Sequence, residues 1–274
     1  MTAIAVLQMT AGIDPAANAD TLEQAIAEAA SRGSAMLFTP EMSGLIDRDK
    51  ARAAPHLHVE EHDPVLARAR ATAAAHGLWV HTGSLAIRCS DGRLANRAFV
   101  IDDRGDIRAR YDKMHLFDVD LPTGESWRES ASYAPGERAV VVDTPVGRLG
   151  LSICYDMRFP ALFAALTEAG ATILSVPAAF TRPTGAAHWH VLLRARAIEA
   201  GVHLVAAAQT GEHQDGRATY GHSLVVGPWG EVLLDMGEAP GLGFATIDPA
   251  QVDAVRQRLP AIRHRRAIPA VERL

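Results

Sequence analysis

Two hairpin-like pairs of short apolar runs, set in a chain that otherwise alternates strand and helix, constrain the fold most. The first pair is Asn96–Ile101 and Ile107–Tyr111 across Asp102-Asp103-Arg104-Gly105, and the second is Ala139–Asp143 and Arg148–Ile153 across Thr144-Pro145-Val146-Gly147. Turn chemistry of this kind joins antiparallel strands, so a purely parallel sheet is excluded. Around the pairs, amphipathic periods predict helices at Ala16–Arg32, Pro64–His76, Ala161–Ala169, Ala187–Ala200 and Gln251–Leu259. On the Ala187–Ala200 helix, Val191, Leu192, Ala195 and Ile198 are expected on the inner face. Further strands are expected at Ala3–Leu7, Met36–Phe38, Leu78–Leu85, Ala171–Val176, Val202–Ala208, Ser223–Val226, Glu231–Leu234 and Leu242–Ile247. Thr181–Gly185 reads as a turn, and Leu116–Arg138, which keeps no period, as one long loop. The layout suits an α/β fold with two mixed sheets packed face to face and helices outside them, in a single domain over residues 1–274.

Composition enters as a filter. With 48% hydrophobic and 22% charged residues in 274, the chain can bury a large core, and its net charge of -5 gives no reason to expect nucleic acid or an anionic membrane. Arg263-His264-Arg265-Arg266 is a local basic exception, read as a solvated tail or a clamp on a partner subunit. Two cysteines, Cys89 and Cys154, imply no disulfide framework. The start lacks a basic leader pattern and no run is long and apolar enough for a membrane span, so a soluble, cytoplasmic protein is expected.

The chemistry concentrates where apolar strands stop. Cys154 ends Gly150-Leu151-Ser152-Ile153 and precedes the polar turn Tyr155-Asp156-Met157-Arg158-Phe159-Pro160. Read alone, it is either a nucleophile or a buried structural cysteine. Glu41 follows Met36–Phe38 across Thr39-Pro40, and Lys113 follows Ile107–Tyr111. A carboxylate can take the thiol proton, and an ammonium can stabilise a thiolate and a later oxyanion. If the strand ends cluster at one edge, a base, a cation and a nucleophile meet there. The long loop after Lys113 carries Glu125 and Glu129 and is read as part of the same wall. The histidines make no metal-ligand spacing with the nearby cysteine, so neither metal nor cofactor is expected.

Pro40-Glu41-Met42, Tyr111-Asp112-Lys113-Met114-His115-Leu116-Phe117-Asp118 and Leu151 through Pro160 resemble the three signatures of the nitrilase superfamily of carbon–nitrogen hydrolases. The likeness continues through His188-Trp189, Arg194 to Glu199, Tyr220-Gly221-His222-Ser223 and Pro228-Trp229-Gly230, and so covers essentially the whole chain. Within the superfamily the chain is most similar to the Nit branch and its deaminated glutathione amidases, with the omega-amidases close by. The resemblance implies a four-layer α-β-β-α sandwich, a small amide substrate and at least a homodimer packed through helical faces. It implies Glu41 as general base, Lys113 as oxyanion-stabilising cation, Cys154 as nucleophile and Glu129 as a second glutamate beside the lysine. The Tyr155 backbone N–H would complete an oxyanion hole, with Phe180 near the substrate. Arg182 is either a carboxylate anchor or a solvated loop residue. His190 and Ala161 stand where relatives usually carry an acid; His190 is either near the pocket or a partly exposed helix residue. A nitrilase, an N-carbamoyl amide hydrolase and a catalytically silent binding protein are the rival readings.

Overall fold

The structure, a computed structural model, describes residues 1–120, 124 and 126–273. In chain order the first half contains β1 (Thr2–Gln8), α1 (Pro15–Ser31), β2 (Met36–Phe38), α2 (Lys50–Ala53), α3 (Pro64–His76), β3 (Trp79–His81), β4 (Leu85–Arg88), β5 (Leu94–Ile101) and β6 (Ile107–Asp112). Next come β7 (Asp118–Asp120), β8 (Ser126–Arg128), β9 (Val141–Thr144), β10 (Gly147–Leu151), α4 (Pro160–Glu168), β11 (Ile173–Ser175) and α5 (Arg182–Ala200). The chain closes with β12 (His203–Ala206), β13 (Thr210–Glu212), β14 (Ala218–Tyr220), β15 (Leu224–Val226), β16 (Val232–Asp235), β17 (Gly241–Ile247) and α6 (Pro249–Arg258).

These strands build two mixed sheets. One runs β17-β1-β2-β3-β5-β4 with β6 on the free side of β5, and the other runs β16-β15-β12-β11-β10-β9. Each has a parallel trio, β1-β2-β3 or β12-β11-β10, with antiparallel strands outside it. Alternation along β1 sets the layers: Ile4 and Val6 join the core shared with the second sheet, whereas Ala5 and Leu7 join the core under α1 and α3. On the far side α4 and α5 supply Leu162, Phe163, Trp189 and Leu193 to the second sheet. The result is the four-layer α-β-β-α sandwich.

Helix ends follow local chemistry. Asp14 and Asp63 accept the Ala16 and Leu66 amides at 2.9 and 2.8 Å, each followed by a proline in the first turn. Gly77 ends α3 at φ 60°, a left-handed conformation that glycine adopts without a Cβ penalty.

Several expectations need correction. The Leu78–Leu85 strand stops at His81, because Gly83 turns at φ 66° against the Thr39–Pro40 carbonyls, where a Cβ would come within 2.2 Å. A new strand, β4, then starts at Leu85. Thr181–Gly185 is not a free turn: Pro183 occupies an early helical position and α5 begins at Arg182. The unpatterned loop contains the β7–β8 ladder, with Asp118 opposite Arg128, followed by a 3-10 turn at Glu129–Ala131. Within the basic tail Arg263, His264 and Arg266 are exposed, as a solvated tail would have it, and Arg265 alone packs back, donating to the Ala164 carbonyl at 3.0 Å.

Candidate active site

Three strand ends deliver the triad. The ends of β2, β6 and β10 lead to Glu41, Lys113 and Cys154, which are only 5%, 2% and 6% exposed. The turn carrying Glu41 is fixed by its backbone. Thr39 N–H donates to the His81 carbonyl at 3.0 Å, Ser43 N–H to the Ser84 carbonyl at 3.0 Å, and the Gln209 amide donates to the Glu41 carbonyl at 3.0 Å. Met42 follows at φ 55°.

The Glu41 carboxylate is saturated with donors. Its Oε1 accepts from Lys113 Nζ at 2.9 Å and from Asn96 Nδ2 at 2.8 Å, and its Oε2 accepts from the Ala179 N–H at 2.8 Å. Glu129 lies on the other side of the same cation, with Lys113 Nζ 2.9 Å from Oε2 and Asn96 Nδ2 3.0 Å from Oε1. One ammonium and one carboxamide therefore hold two carboxylates together. Glu125 falls outside the described residues.

Cys154 opens a 3-10 turn, Cys154–Arg158, with its backbone at φ 48° and its N–H given to the Pro177 carbonyl at 2.9 Å. A non-glycine residue held there is strained, and its surroundings must over-determine the conformation. Asp156 does much of this. Its fully buried carboxylate accepts from the Ile153 N–H (2.8 Å), the Tyr111 hydroxyl (2.7 Å) and the His115 N–H (3.0 Å), and it lies 2.7 Å from His115 Nδ1. Tyr111 and His115 flank Lys113, so Asp156 ties the lysine segment to the cysteine turn. The Tyr155 N–H makes no backbone hydrogen bond beyond its own 3-10 turn among the described residues.

Electrostatics sets the resting protonation. Burial pushes the Glu41 carboxyl up, but the Lys113 charge and the hydrogen bonds outweigh it and hold the group below the usual carboxylate range. Burial works against the Lys113 charge too, yet Glu129 and Glu41 raise its pKa well above the ordinary value. Burial first, and the Glu41 charge second, push the Cys154 thiol well up. The resting centre thus holds a carboxylate, an ammonium and a neutral thiol.

The other candidates separate. Phe180 is buried against Trp189, with ring centroids 5.1 Å apart. Arg182 is exposed on the first turn of α5 and lies 3.7 Å from Glu212. His190 does not reach the triad; its Nε2 lies 2.9 Å from Asp235, which His222 Nδ1 also approaches, at 2.8 Å. Sequence reasoning missed Asn96, Asp156 and Arg158. An amide inside the apolar run Leu94-Ala95-Asn96 and an acid in the cysteine turn were the available signals. The Arg158 guanidinium lies 5.8 Å from the Tyr155 ring and 5.4 Å from the Phe180 ring, and no carboxylate pairs with it among the described residues.

Comparison with known proteins identifies the family. Residues 3–257 match the carbon–nitrogen hydrolase family. Deaminated glutathione amidase of Yersinia enterocolitica is 40% identical over 97% of this chain and 93% of its own. The Homo sapiens protein of that name is 42% identical over 96% of this chain and 82% of its own. Among solved structures, the Caenorhabditis elegans NitFhit protein superposes with a TM-score of 0.90 at 40% identity, over 97% of this chain and 65% of that one. A mutant of the amidase from Nesterenkonia sp. AN1, showing the result of Michael addition of acrylamide at its active-site cysteine, is 29% identical with a TM-score of 0.80, over 95% of this chain and 98% of its own. The chain belongs to the carbon–nitrogen hydrolase family.

Proposed function

We propose that this chain, as one catalytic unit over residues 1–274, is a cysteine-dependent amidase that hydrolyses a small carboxylate-bearing amide, deaminated glutathione, to an acid and the amine of its cysteinyl half. The observation that carries the reading is the buried Glu41–Lys113 pair at 2.9 Å beside a cysteine held in a left-handed turn. Glu41 takes the thiol proton as sulfur bonds to the amide carbon, and the carbonyl oxygen becomes an oxyanion held by Lys113 and the Tyr155 N–H. Collapse breaks the C–N bond, and Glu41 returns its proton to the departing nitrogen, releasing the amine (ammonia where the amide is primary) and leaving a thioester. Glu41 then removes a proton from water as it attacks, and collapse frees the acid and the thiol. Glu129 orients Lys113.

For the substrate carboxylate, Arg158 is better placed than Arg182. It is half-buried between two aromatic side chains next to Cys154 and has no acidic partner among the described residues, whereas Arg182 pairs with Glu212 in solvent. Val191 and Ile198 expose apolar surface on α5 beside Trp229, Val232 and Leu233, which supports a homodimer packed through this face. No helix among the described residues is long and apolar enough to cross a membrane, and both cysteines are free, which fits a cytoplasmic setting.

The test is hydrolysis, read as the liberated amine or ammonia, across deaminated glutathione, omega-amides of 2-oxo acids, N-carbamoyl amino acids and nitriles. Deaminated glutathione should give the highest kcat/KM, and Arg158→Met should raise its KM while leaving a neutral amide little changed. Preference for nitriles or carbamoyl compounds would overturn the substrate assignment.

A further inference from the structure

We propose that His190, His222 and Asp235 form a binding site for one divalent transition-metal ion of the zinc type, where α5 meets the β15–β16 hairpin. Their ligand atoms all lie within 4.8 Å of one another. His190 Nε2 is 2.9 Å from Asp235 Oδ2, and His222 Nδ1 is 2.8 Å from Asp235 Oδ1. Zinc bonds of about 2.0 to 2.1 Å in a tetrahedron separate ligand atoms by roughly 3.3 Å, so small side-chain adjustments suffice to admit the ion. Two imidazoles and one carboxylate are a donor set that zinc accepts, leaving a fourth position for water.

The ligands come from three segments and are held in place. His222 is kept at φ 55°, its N–H donates to the Gly237 carbonyl at 2.6 Å, and its own carbonyl accepts from the Trp189 indole at 2.8 Å. Asp235 Oδ1 also accepts the Gly237 N–H at 3.0 Å. The Tyr220 ring stacks on His222 with centroids 4.6 Å apart. No lysine or arginine pairs with Asp235 among the described residues, and the three side chains are 22% to 33% exposed, so an ion can reach them from solvent. Without metal, each imidazole donates a ring proton to Asp235. With metal, that proton moves to the other ring nitrogen, and the freed lone pair binds the ion. No net proton need leave. Occupancy would brace the neighbour of His190, Trp189, against Phe180 and so stiffen one wall near the triad.

The test uses the untagged Cys154→Ala chain, which removes the competing thiol, titrated calorimetrically with Zn2+ alone. One equivalent should bind, and His190→Ala and Asp235→Asn in the same background should weaken binding about tenfold or more, while His188→Ala should not. A second readout is modification by diethyl pyrocarbonate, from which Zn2+ should protect His190 and His222, seen by peptide mass. Absence of Zn2+ binding, or binding undiminished in Asp235→Asn with both histidines unprotected, would overturn the proposal.

Discussion

At the scale of single residues, the site works because like charges share their donors. Asn96 Nδ2 reaches both Glu41 and Glu129, while its Oδ1 is buried with no donor among the described residues. That one-sided bonding is a cost the fold accepts to keep two carboxylates beside one ammonium. Asn96→Ala should therefore lower kcat about tenfold, an effect of about 1 to 2 kcal/mol, with the circular dichroism spectrum unchanged. Steady-state assays of amide hydrolysis check this, and undiminished kcat would show that Lys113 alone orders the pair. The strand-end positions of Glu41, Lys113 and Cys154 were legible because proline, aspartate and a polar turn interrupt apolar runs there. The partner role of Asn96 was not. It depends on a contact with Glu41 across 55 positions and another with Glu129 across 33, which no local pattern encodes.

At the scale of elements, α5 shows where periodicity misleads. The helix has apolar residues on more than one side, and the expected inner set included Val191 and Ile198, yet these are 68% and 45% exposed. The buried face instead carries Gly185, Trp189, Leu193, Arg196, Ala197 and Ala200. Arg196 disguised it: a buried guanidinium that donates to the Met157 carbonyl at 2.9 Å and pairs with Glu199 reads as a surface residue in sequence. The apolar residues left outside give the helix a second face. Val191→Glu together with Ile198→Glu should convert the proposed dimer to monomers in sedimentation velocity, and a dimer that survives both changes would place the interface elsewhere. The hairpin pairs, by contrast, were readable because turn chemistry is local: β5 pairs with β6 and β9 with β10 in the expected antiparallel sense.

At the scale of the molecule, the two sheets are joined through buried polar contacts as well as apolar ones. His81, on β3, is fully buried and lies 3.3 Å through Nε2 from the Ser175 hydroxyl of the facing sheet. Burial lowers its pKa from 6.5 to about 4. The folded-state pKa is depressed, so its contribution is present above pH 6.5 and is lost as pH falls toward about 4, in total about 3 kcal/mol. Urea unfolding across this window should show that slope in the native chain and a shallower one in His81→Gln; equal slopes would assign the effect to other groups. Whether Cys154 rather than Cys89 is the nucleophile is measured most directly by hydrolysis of deaminated glutathione, read as the liberated amine, by purified Cys154→Ala beside Cys89→Ala, each shown to be folded. The expected result is loss of turnover by about 10⁴-fold or more in Cys154→Ala and nearly native turnover in Cys89→Ala. Native turnover in Cys154→Ala would contradict the mechanism.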